Sequence, residues 1–458
     1  MSFPIAPTPT KQRPPLRRLL ALAVTRTGVL ALTTVGNLVV RTGSSMILTR
    51  LLRPYDFGIV GIITSVFYMV SMVTDLGFQA FLVRHERTED PHFRNVIWTI
   101  HAKRGFALFA TVAAAAPLIA WALGKPVVAL PLAVASATFV INGLASLSLM
   151  TALRRDKARE LSILDFGLQI FQTIVGVLLA LWWRNAWAII AVMLLQSIVR
   201  CGLSYALFRD SSQRPERDHA IAREFFAFSR VILMSSALSL LIGQSDKLVL
   251  ARLFTLDQFG LYAIAITIAS APVSFAESYV HRVLFPIYAQ TWRQAPAEIG
   301  HVYYKAKRRA GALYAFSCGG LIGSASLLIA LLYDPRYLPA STFLSLLMIA
   351  SSLRLTTIAA SEVLTAIGDM KRMLRMNVVR VLWLALAIPG GFVLLGSLGV
   401  VAAVGLIEVP AMLYSWVLLR RMAVLRIGEE LTILGLICAG AAIGFLCSTE
   451  ILLLFPHL

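Results

Sequence analysis

Runs of about twenty apolar residues recur along the whole chain, separated by short polar segments. The stretch GALYAFSCGGLIGSASLLIALLY, residues 311–333, is one example. A helix needs roughly 20 such residues to cross the ~30 Å hydrocarbon core of a bilayer. The pattern therefore predicts an all-α, polytopic membrane protein with about thirteen spans. The predicted spans are residues 27–49, 57–83, 105–123, 127–152, 162–183, 186–208, 225–251, 259–288, 310–333, 340–366, 377–397, 398–420 and 431–456.

Lys and Arg residues are distributed unequally between the two sides of these spans. Thirty of the 42 lie in segments on one side, and six lie in segments on the other. Because cytoplasmic loops carry the excess of Lys and Arg, we expect the tail 1–19 to lie in the cytoplasm. Segment 431–456 also fits a hairpin, which leaves twelve, thirteen or fourteen spans open.

Composition supports a membrane location. Hydrophobic residues make up 58% of the chain and charged residues 14%, whereas soluble domains are typically about 45–50% apolar. The net charge of +19 is spread over short loops and not collected in one patch, so we expect no nucleic-acid partner. The four cysteines lie in apolar segments without paired or metal-ligand spacing. We therefore expect no disulfide framework, metal site or cofactor.

One charged segment, which contains Pro215, interrupts the apolar pattern after the sixth span. We predict that this segment, residues 209–223, is a cytoplasmic linker between two lobes. The N-lobe would be residues 20–208 with spans one to six, and the C-lobe residues 224–421 with spans seven to twelve. Residues 431–456 would add one extra C-terminal span.

Nearly the same phrase follows the first span of each lobe: RLLRPYDFG at residues 50–58 and RLFTLDQFG at residues 252–260. The same offset of 202 residues places Asp75 opposite Glu277. Since six spans is an even number, both lobes would enter the membrane in the same orientation. The phrase thus predicts a parallel repeat, whose two halves surround a central cavity.

The first phrase and the stretch DLGFQAFLVR that follows it resemble a known family. They are similar to the first helical hairpin of bacterial polysaccharide transporters, the oligosaccharide flippases of the multidrug/oligosaccharidyl-lipid/polysaccharide exporter superfamily. Arg53 stands where a glycine is common in that family. The matching residues are Arg50, Leu51, Leu52, Pro54, Asp56, Phe57, Gly58, Asp75, Leu76, Gly77 and Arg84.

This resemblance implies a fold and an activity. Two bundles of six helices would form a V-shaped cavity in the inner membrane of a bacterium, surrounded by membrane lipids. The cavity would move a polyprenyl-diphosphate-linked oligosaccharide from the cytoplasmic to the outer leaflet, for cell-surface or exopolysaccharide biosynthesis. Glycosyltransferases and a polysaccharide polymerase are the candidate protein partners.

Charged residues inside the predicted spans are the candidate site residues, because each costs roughly 2.5–3.5 kcal/mol at a bilayer centre unless it has a partner or a wet cavity. Cations in a cavity suit a diphosphate, since Arg offers paired donors and Lys a point charge. The acids would pair with these cations until substrate displaces them, or bind a proton or sodium ion. The candidate cations are Arg41, Arg200, Lys247, Arg282 and Arg354, and the candidate acids are Asp75, Asp246, Glu277, Glu362 and Glu408.

Other interpretations of these charges stay open. Polar residues in spans also join neighbouring helices, and Asp75 and Arg282, near the cytoplasmic ends of their spans, could extend to the interface. Glu408 stands two residues before Pro410 and could instead be a protonated acid bonded to a backbone carbonyl that the proline frees.

Two other functions compete with a flippase. A drug/cation antiporter of the same superfamily should need acids more than bases in its cavity. A membrane-embedded polysaccharide polymerase usually carries a large outer loop, and every predicted outer loop here is short. No catalytic dyad or nucleotide-binding motif occurs. The sequence therefore favours a transporter over an enzyme.

Overall fold

The computed structural model describes residues 26–152, 154, 157–207, 213–243 and 245–454. Within these ranges the regular secondary structure is helical, and no strand occurs. We refer to residues 26–207 as the N half and to residues 245–454 as the C half. The helices of the N half are α1 (Arg26–Leu51), α2 (Pro54–Val73), α3 (Phe78–Arg84), α4 (Pro91–Ala122), α5 (Ala129–Ala135), α6 (Ala137–Gly143), α7 (Ser148–Thr151), α8 (Ala158–Trp183) and α9 (Ala186–Ala206).

Helix α10 (His219–Gly243) leads into the C half. The core of the C half centres on the helix at the tenth predicted span of the chain, Ala340–Ile367, which is the most enclosed of the apolar helices, with 72% of its most apolar stretch buried. The helices that follow α10 are α11 (Ser245–Leu253), α12 (Leu256–Tyr279), α13 (Phe285–Gln294), α14 (Ile299–Gly323), α15 (Ala325–Leu332), α16 (Ala340–Ile367), α17 (Met370–Gly405), α18 (Glu408–Arg421) and α19 (Ile427–Leu454).

Helix α17 reverses direction at Gly396, which has non-helical backbone angles, φ 59° and ψ −137°. A Cβ atom on Gly391 would collide with the backbone of Gly399, so the two arms touch at these glycines. The indole Nε1 of Trp383 donates to the carbonyl oxygen of Ala403 across the arms, at 2.8 Å. Residues 371–421 therefore contain both predicted spans, 377–397 and 398–420.

The described residues contain nine helices that are long and apolar enough to cross a membrane, or ten if the bent pair α14–α15 forms one span. The predicted number is about thirteen. The segment Lys371–Arg421 is one of the nine although it reverses at Gly396. The helices at predicted spans one and seven, α1 and α10–α11, are present but are not among the nine. Counting helices by length and hydropathy therefore gives fewer spans than counting the predicted spans at which the structure has a helix.

The second predicted span, residues 57–83, is broken. Helix α2 ends at Val73 and α3 begins at Phe78. Between them Gly77 has φ +67°, a left-handed conformation that favours glycine. The Asp75 carboxylate accepts the backbone N–H of Gly77 at 2.9 Å. Asp75 therefore lies in the turn after the helix, whereas Glu277, its counterpart in the repeat, lies within α12.

The repeated phrases meet each other in the fold. A Cβ atom on Gly58 would collide with the carbonyl of Leu256, and one on Gly260 would collide with the carbonyl of Pro54. Gly260 lies 202 positions after Gly58, and Leu256 lies 202 positions after Pro54. The contact is therefore reciprocal, as expected of two equivalent surfaces related by a two-fold axis. We call the end of the bundle that carries residues 50–58 and 252–260 the repeat-loop end.

Two loops close the same end in matching positions. The guanidinium Nη2 of Arg336 donates to the carbonyl oxygen of Arg50 at 3.2 Å, and the Tyr337 hydroxyl donates to that of Leu52 at 3.0 Å. In the other direction, the guanidinium of Arg252 lies against Gly124. In each half, the loop after the third span of that half thus contacts the residues that follow the first span of the other half.

At the opposite end, α10 packs against the N half. Phe225 is fully buried, with ring centroids 4.7 Å from Phe78 and 5.1 Å from Phe81. The Ser229 hydroxyl donates to the carbonyl oxygen of Leu76 at 2.8 Å. We call this end, which carries residues 84–95 and 213–224, the linker end.

Helix α19 packs closely on α14 through small residues. Cβ atoms on Gly319 or Gly440 would collide with the backbone of the other helix, which is the close approach that small residues permit in membranes. The Lys307 ammonium bonds both carboxylate oxygens of Glu430, at 2.8 and 3.0 Å, and both side chains are 1% exposed. The extra helix is therefore part of the C half.

Candidate functional site

Helices α2 and α12 touch at the repeat-loop end and present polar faces beyond that contact. Gly61 and Ala263 meet across the contact. The polar residues follow them at intervals of three or four positions and therefore lie on the same helix faces. Exposed polar side chains in membrane-spanning segments favour water over lipid, and we infer that the two faces line a wet cleft between the halves. The exposed polar residues are Thr64 and Tyr68 on the first face, with Asp75 in the turn after it, and Thr267, Ser270, Ser274 and Ser278 on the second.

Lys247 lies at this cleft. Its ammonium is 6.0 Å from the ring centroid of Tyr68, which is 48% exposed on the α2 face. A cation at this distance from an aromatic face is attracted by the ring quadrupole. The contact connects α11 to α2, one helix from each half. The side chain of the neighbouring Asp246 lies outside the described residues.

Two further candidate cations are exposed. Arg41 is exposed on α1, and Arg282 is exposed after the end of α12. Residues Val280–Leu284 form a π-helical turn that precedes Pro286. Because proline lacks a backbone N–H, it interrupts the regular ladder here, and such turns are frequent at functional sites. The turn places His281 and Arg282 at the end of the cleft face of α12.

Arg354 is held in a network of ion pairs that joins four helices of the C half. Its Nη2 is 3.0 Å from Glu277 Oε1 and its Nη1 is 2.8 Å from Glu408 Oε1. The other oxygen of Glu408, Oε2, accepts from Arg380 Nη2 at 2.8 Å and from the Thr357 hydroxyl at 2.6 Å. We call Glu277, Arg354, Glu408 and Arg380 the four-residue network.

Burial changes steadily across this network. The side chains of Glu408 and Arg380 are 4% and 6% exposed, whereas those of Arg354 and Glu277 are 26% and 41% exposed. Three donors converge on Glu408, which is the arrangement of an ionised carboxylate and not of a protonated acid on a backbone carbonyl. The accessible half of the network is therefore the pair Arg354–Glu277, beside the cleft.

The remaining candidates form two separate pairs. His281 Nδ1 is 3.4 Å from Glu362 Oε1, with 57% of the histidine side chain and 13% of the acid exposed. Arg200 Nη2 is 3.3 Å from Asp165 Oδ1, and both side chains are more than 40% exposed. The second pair joins α9 to α8, so an acid of the N half already offsets the charge of Arg200.

Arg380 is a site residue that the sequence does not single out, because it lies only three residues into its predicted span. In the structure Arg380 is 5% exposed and bonds Glu408 and Asn377. The available signal is its position: it lies inside predicted span 377–397 and directly precedes the apolar run VLWLALAIPG.

The comparisons with known proteins agree with this architecture. The family described as "Polysaccharide biosynthesis protein" matches residues 47–342. The succinoglycan biosynthesis transport protein ExoT of Rhizobium meliloti (strain 1021) is 28% identical over 249 residues, 53% of this chain. That match spans about half, 49%, of the relative's length.

Two solved structures share the fold. The lipid II flippase MurJ in its inward closed conformation superposes with a TM-score of 0.68 and 12% identity, covering 91% of this chain and 92% of that one. An inward-facing multidrug resistance MATE family transporter of the MOP superfamily gives a TM-score of 0.62 and 14% identity, covering 85% and 94%. Together with the family match, these findings confirm the resemblance seen in the repeated phrase. The chain belongs to the polysaccharide biosynthesis protein family.

Proposed function

We propose that the protein is a flippase that moves a polyprenyl-diphosphate-linked oligosaccharide across the bacterial inner membrane by alternating access. One observation carries this proposal: a polar cleft between two repeated halves, closed at the repeat-loop end and bordered by cations of the C half. The Lys and Arg bias supports an orientation with the repeat-loop end outside. The cleft described above is then closed to the outside, as required before a substrate enters from the cytoplasmic leaflet.

The cations of the cleft suit a diphosphate. Lys247 and Arg282 border the cleft from the C half, and Arg41 is exposed on the first helix of the N half. Arg354 is a different kind of contributor, because Glu277 already occupies one side of its guanidinium. A diphosphate would replace Glu277 there, while Glu408 keeps the other side of the guanidinium fixed.

Coupling to an ion follows from the same displacement. A carboxylate that loses its cation partner in a membrane is costly unless it takes up a proton or a sodium ion. Glu277 is the acid that a bound diphosphate would release, and Glu362 beside His281 is the second candidate. Protons or sodium ions would then move with the conformational cycle.

The test uses proteoliposomes that contain a polyprenyl-diphosphate-linked oligosaccharide and measures the fraction of glycan that an external glycosidase can reach. We expect Lys247→Ala and Arg282→Ala each to slow translocation by at least about tenfold, because each removes a bond to a charged group worth roughly 1.5–3 kcal/mol. Arg184→Ala, a cation beyond the cleft at the end of α8, is the matched control. Translocation at the wild-type rate in both cleft variants would contradict the proposal. Ethidium transport without glycan transport would indicate the drug/cation antiporter instead.

A further inference from the structure

The linker end carries two histidines in ion pairs between the N half and the segment that leads into α10. His85 and His92 belong to the N half, and Glu216, Asp218 and Glu224 belong to that segment and to the first turns of α10. We call these five residues the histidine clasp. It lies beside the aromatic packing of Phe225, so it acts on the contact that attaches α10 to the N half.

His92 has an acid at each ring nitrogen. Its Nδ1 contacts Glu216 Oε2, and its Nε2 is 3.4 Å from Asp218 Oδ2. Ionised carboxylate oxygens accept hydrogen bonds and donate none. Both nitrogens of His92 must therefore carry protons for both contacts to exist, so the geometry requires the imidazolium form.

His85 differs in this respect. Its Nδ1 accepts the backbone N–H of Arg87 at 3.1 Å, and its Nε2 is 2.8 Å from Glu224 Oε1. A ring with one proton, on Nε2, makes both bonds. Arg87 also donates to the other oxygen of Glu224, Oε2, at 2.9 Å. This half of the clasp therefore needs no second proton on its histidine.

The carboxylates that face His92 are held by other bonds. Glu216 Oε1 accepts the Asn95 side-chain amide at 2.6 Å. Asp218 Oδ1 accepts the backbone N–H of Ala220 at 2.7 Å and thereby caps α10. Both acids stay in place when His92 loses a proton, and one of the two contacts must then become repulsive.

The charges around His92 favour its protonated form. The hydrogen bond to Glu216, followed by that to Asp218, raises the pKa of His92 above its ordinary value of 6.5. The pKa values of Glu216 and Asp218 are lowered below 4.5 and 3.8, Glu216 first by Asn95 and then by His92, Asp218 first by backbone N–H groups. Asp90 on the same turn as His92 caps α4 and adds a third acid. The N-terminus of α4 opposes these acids, since it disfavours a cation.

We propose that His92 is a proton-sensitive latch that holds the start of α10 on the N half at the linker end. With two protons it joins α4 to residues 216–218, and with one it releases one of those acids. The latch would couple proton concentration on the linker side to the attachment of α10. The inference goes beyond the proposed function and does not depend on the transported substrate.

Hydrogen exchange of the backbone amides of residues 219–232 tests the latch in the purified full chain in lipid nanodiscs. Wild type, His92→Arg and His92→Gln are compared at pH 6 and pH 8.5, and ratios at one pH cancel the intrinsic pH dependence of exchange. His92→Arg keeps a fixed positive charge with several donors, whereas His92→Gln carries no charge. We expect wild type to match His92→Arg at pH 6, and at pH 8.5 to exchange about two- to fivefold faster than it, as His92→Gln does.

Two controls make the result decisive. His85→Gln replaces a one-proton ring by a side chain with one donor and one acceptor, so the pH dependence should persist in that variant. Its disappearance there, or an unchanged ratio of wild type to His92→Arg between the two pH values, would overturn the proposal. NMR titration of the His92 ring gives an independent answer: a pKa above 6.5 supports the latch, and a pKa at or below 6.5 overturns it.

Discussion

The two ends of the molecule hold its halves together by different physics. At the repeat-loop end, Gly58 and Gly260 bring two backbones into contact, and side chains donate to carbonyl oxygens. At the linker end, partly exposed histidines pair with partly exposed carboxylates. The first contact depends on shape and on bonds that ordinary pH does not change. The second depends on protons, so the two ends can open under different conditions.

The two ends can open separately only if each half moves as a unit. Substitution of Glu408, in the four-residue network of the C half, tests this and has the largest expected effect. Glu408→Gln leaves Arg380 and Arg354 without their shared anion, and breaking a buried ion pair costs about 3–5 kcal/mol. We expect a large fall in thermal stability in nanodiscs. Glu277→Gln is the control, because its side chain is 41% exposed and it bonds a single arginine. Equal stability of the two variants would show that the four-residue network does not hold the C half together.

The crossing at the repeat-loop end should be the next most sensitive feature. Gly58→Ala and Gly260→Ala each place a methyl group against a carbonyl of the partner helix, and overpacking typically costs about 1–3 kcal/mol. Gly43→Ala is the matched control, since a Cβ atom there has nothing within 4 Å. We expect lower thermal stability in the first two variants and no loss in the third. A Gly58→Ala protein as stable as Gly43→Ala would show that close packing at Gly58 does not hold the repeat-loop end together.

A single hydroxyl should have a smaller effect at the same end. Tyr337→Phe removes the bond to the Leu52 carbonyl and leaves the ring packed against Phe57, 5.9 Å between centroids. The cost should be about 1 kcal/mol, the usual net value of one hydrogen bond. Thiol labelling of a cysteine placed at Arg50 should become faster in this variant. An unchanged labelling rate would show that the hydroxyl does not contribute to closure.

The smallest effect is expected at the linker end, and its direction depends on pH. Because the pKa of His92 is raised above 6.5, the stabilisation it gives is complete below that value and is lost as the pH rises through the raised pKa. The lowered pKa values of Glu216 and Asp218 mean that their part is lost only in acid, as the pH falls through those values. Stability of the contact should therefore be greatest at mildly acidic pH. Stability that rises steadily from pH 6 to pH 8.5 would contradict this.

The sequence carries much of the fold because hydropathy and repeats are local or regularly spaced signals. The helices and the repeated halves follow from such signals, whereas the contact of Gly58 with the second phrase is visible only in the structure. The sequence predicts Arg354 as a site cation but not Arg380, which shares Glu408 with it, because this pairing depends on how α16, α17 and α18 are rotated against each other. His92 and Glu216 are 124 residues apart, and no periodic pattern connects them.

The most direct test of the central claim is a crosslink at the repeat-loop end during transport. The Arg336 guanidinium lies 3.2 Å from the backbone carbonyl oxygen of Arg50. Cysteines at these two positions, in a background without the native cysteines, would be joined by a short, reducible bifunctional thiol reagent. In proteoliposomes with a polyprenyl-diphosphate-linked oligosaccharide, translocation should stop on crosslinking and recover on reduction. Translocation that continues at the same rate in the crosslinked protein would contradict alternating access through this cleft.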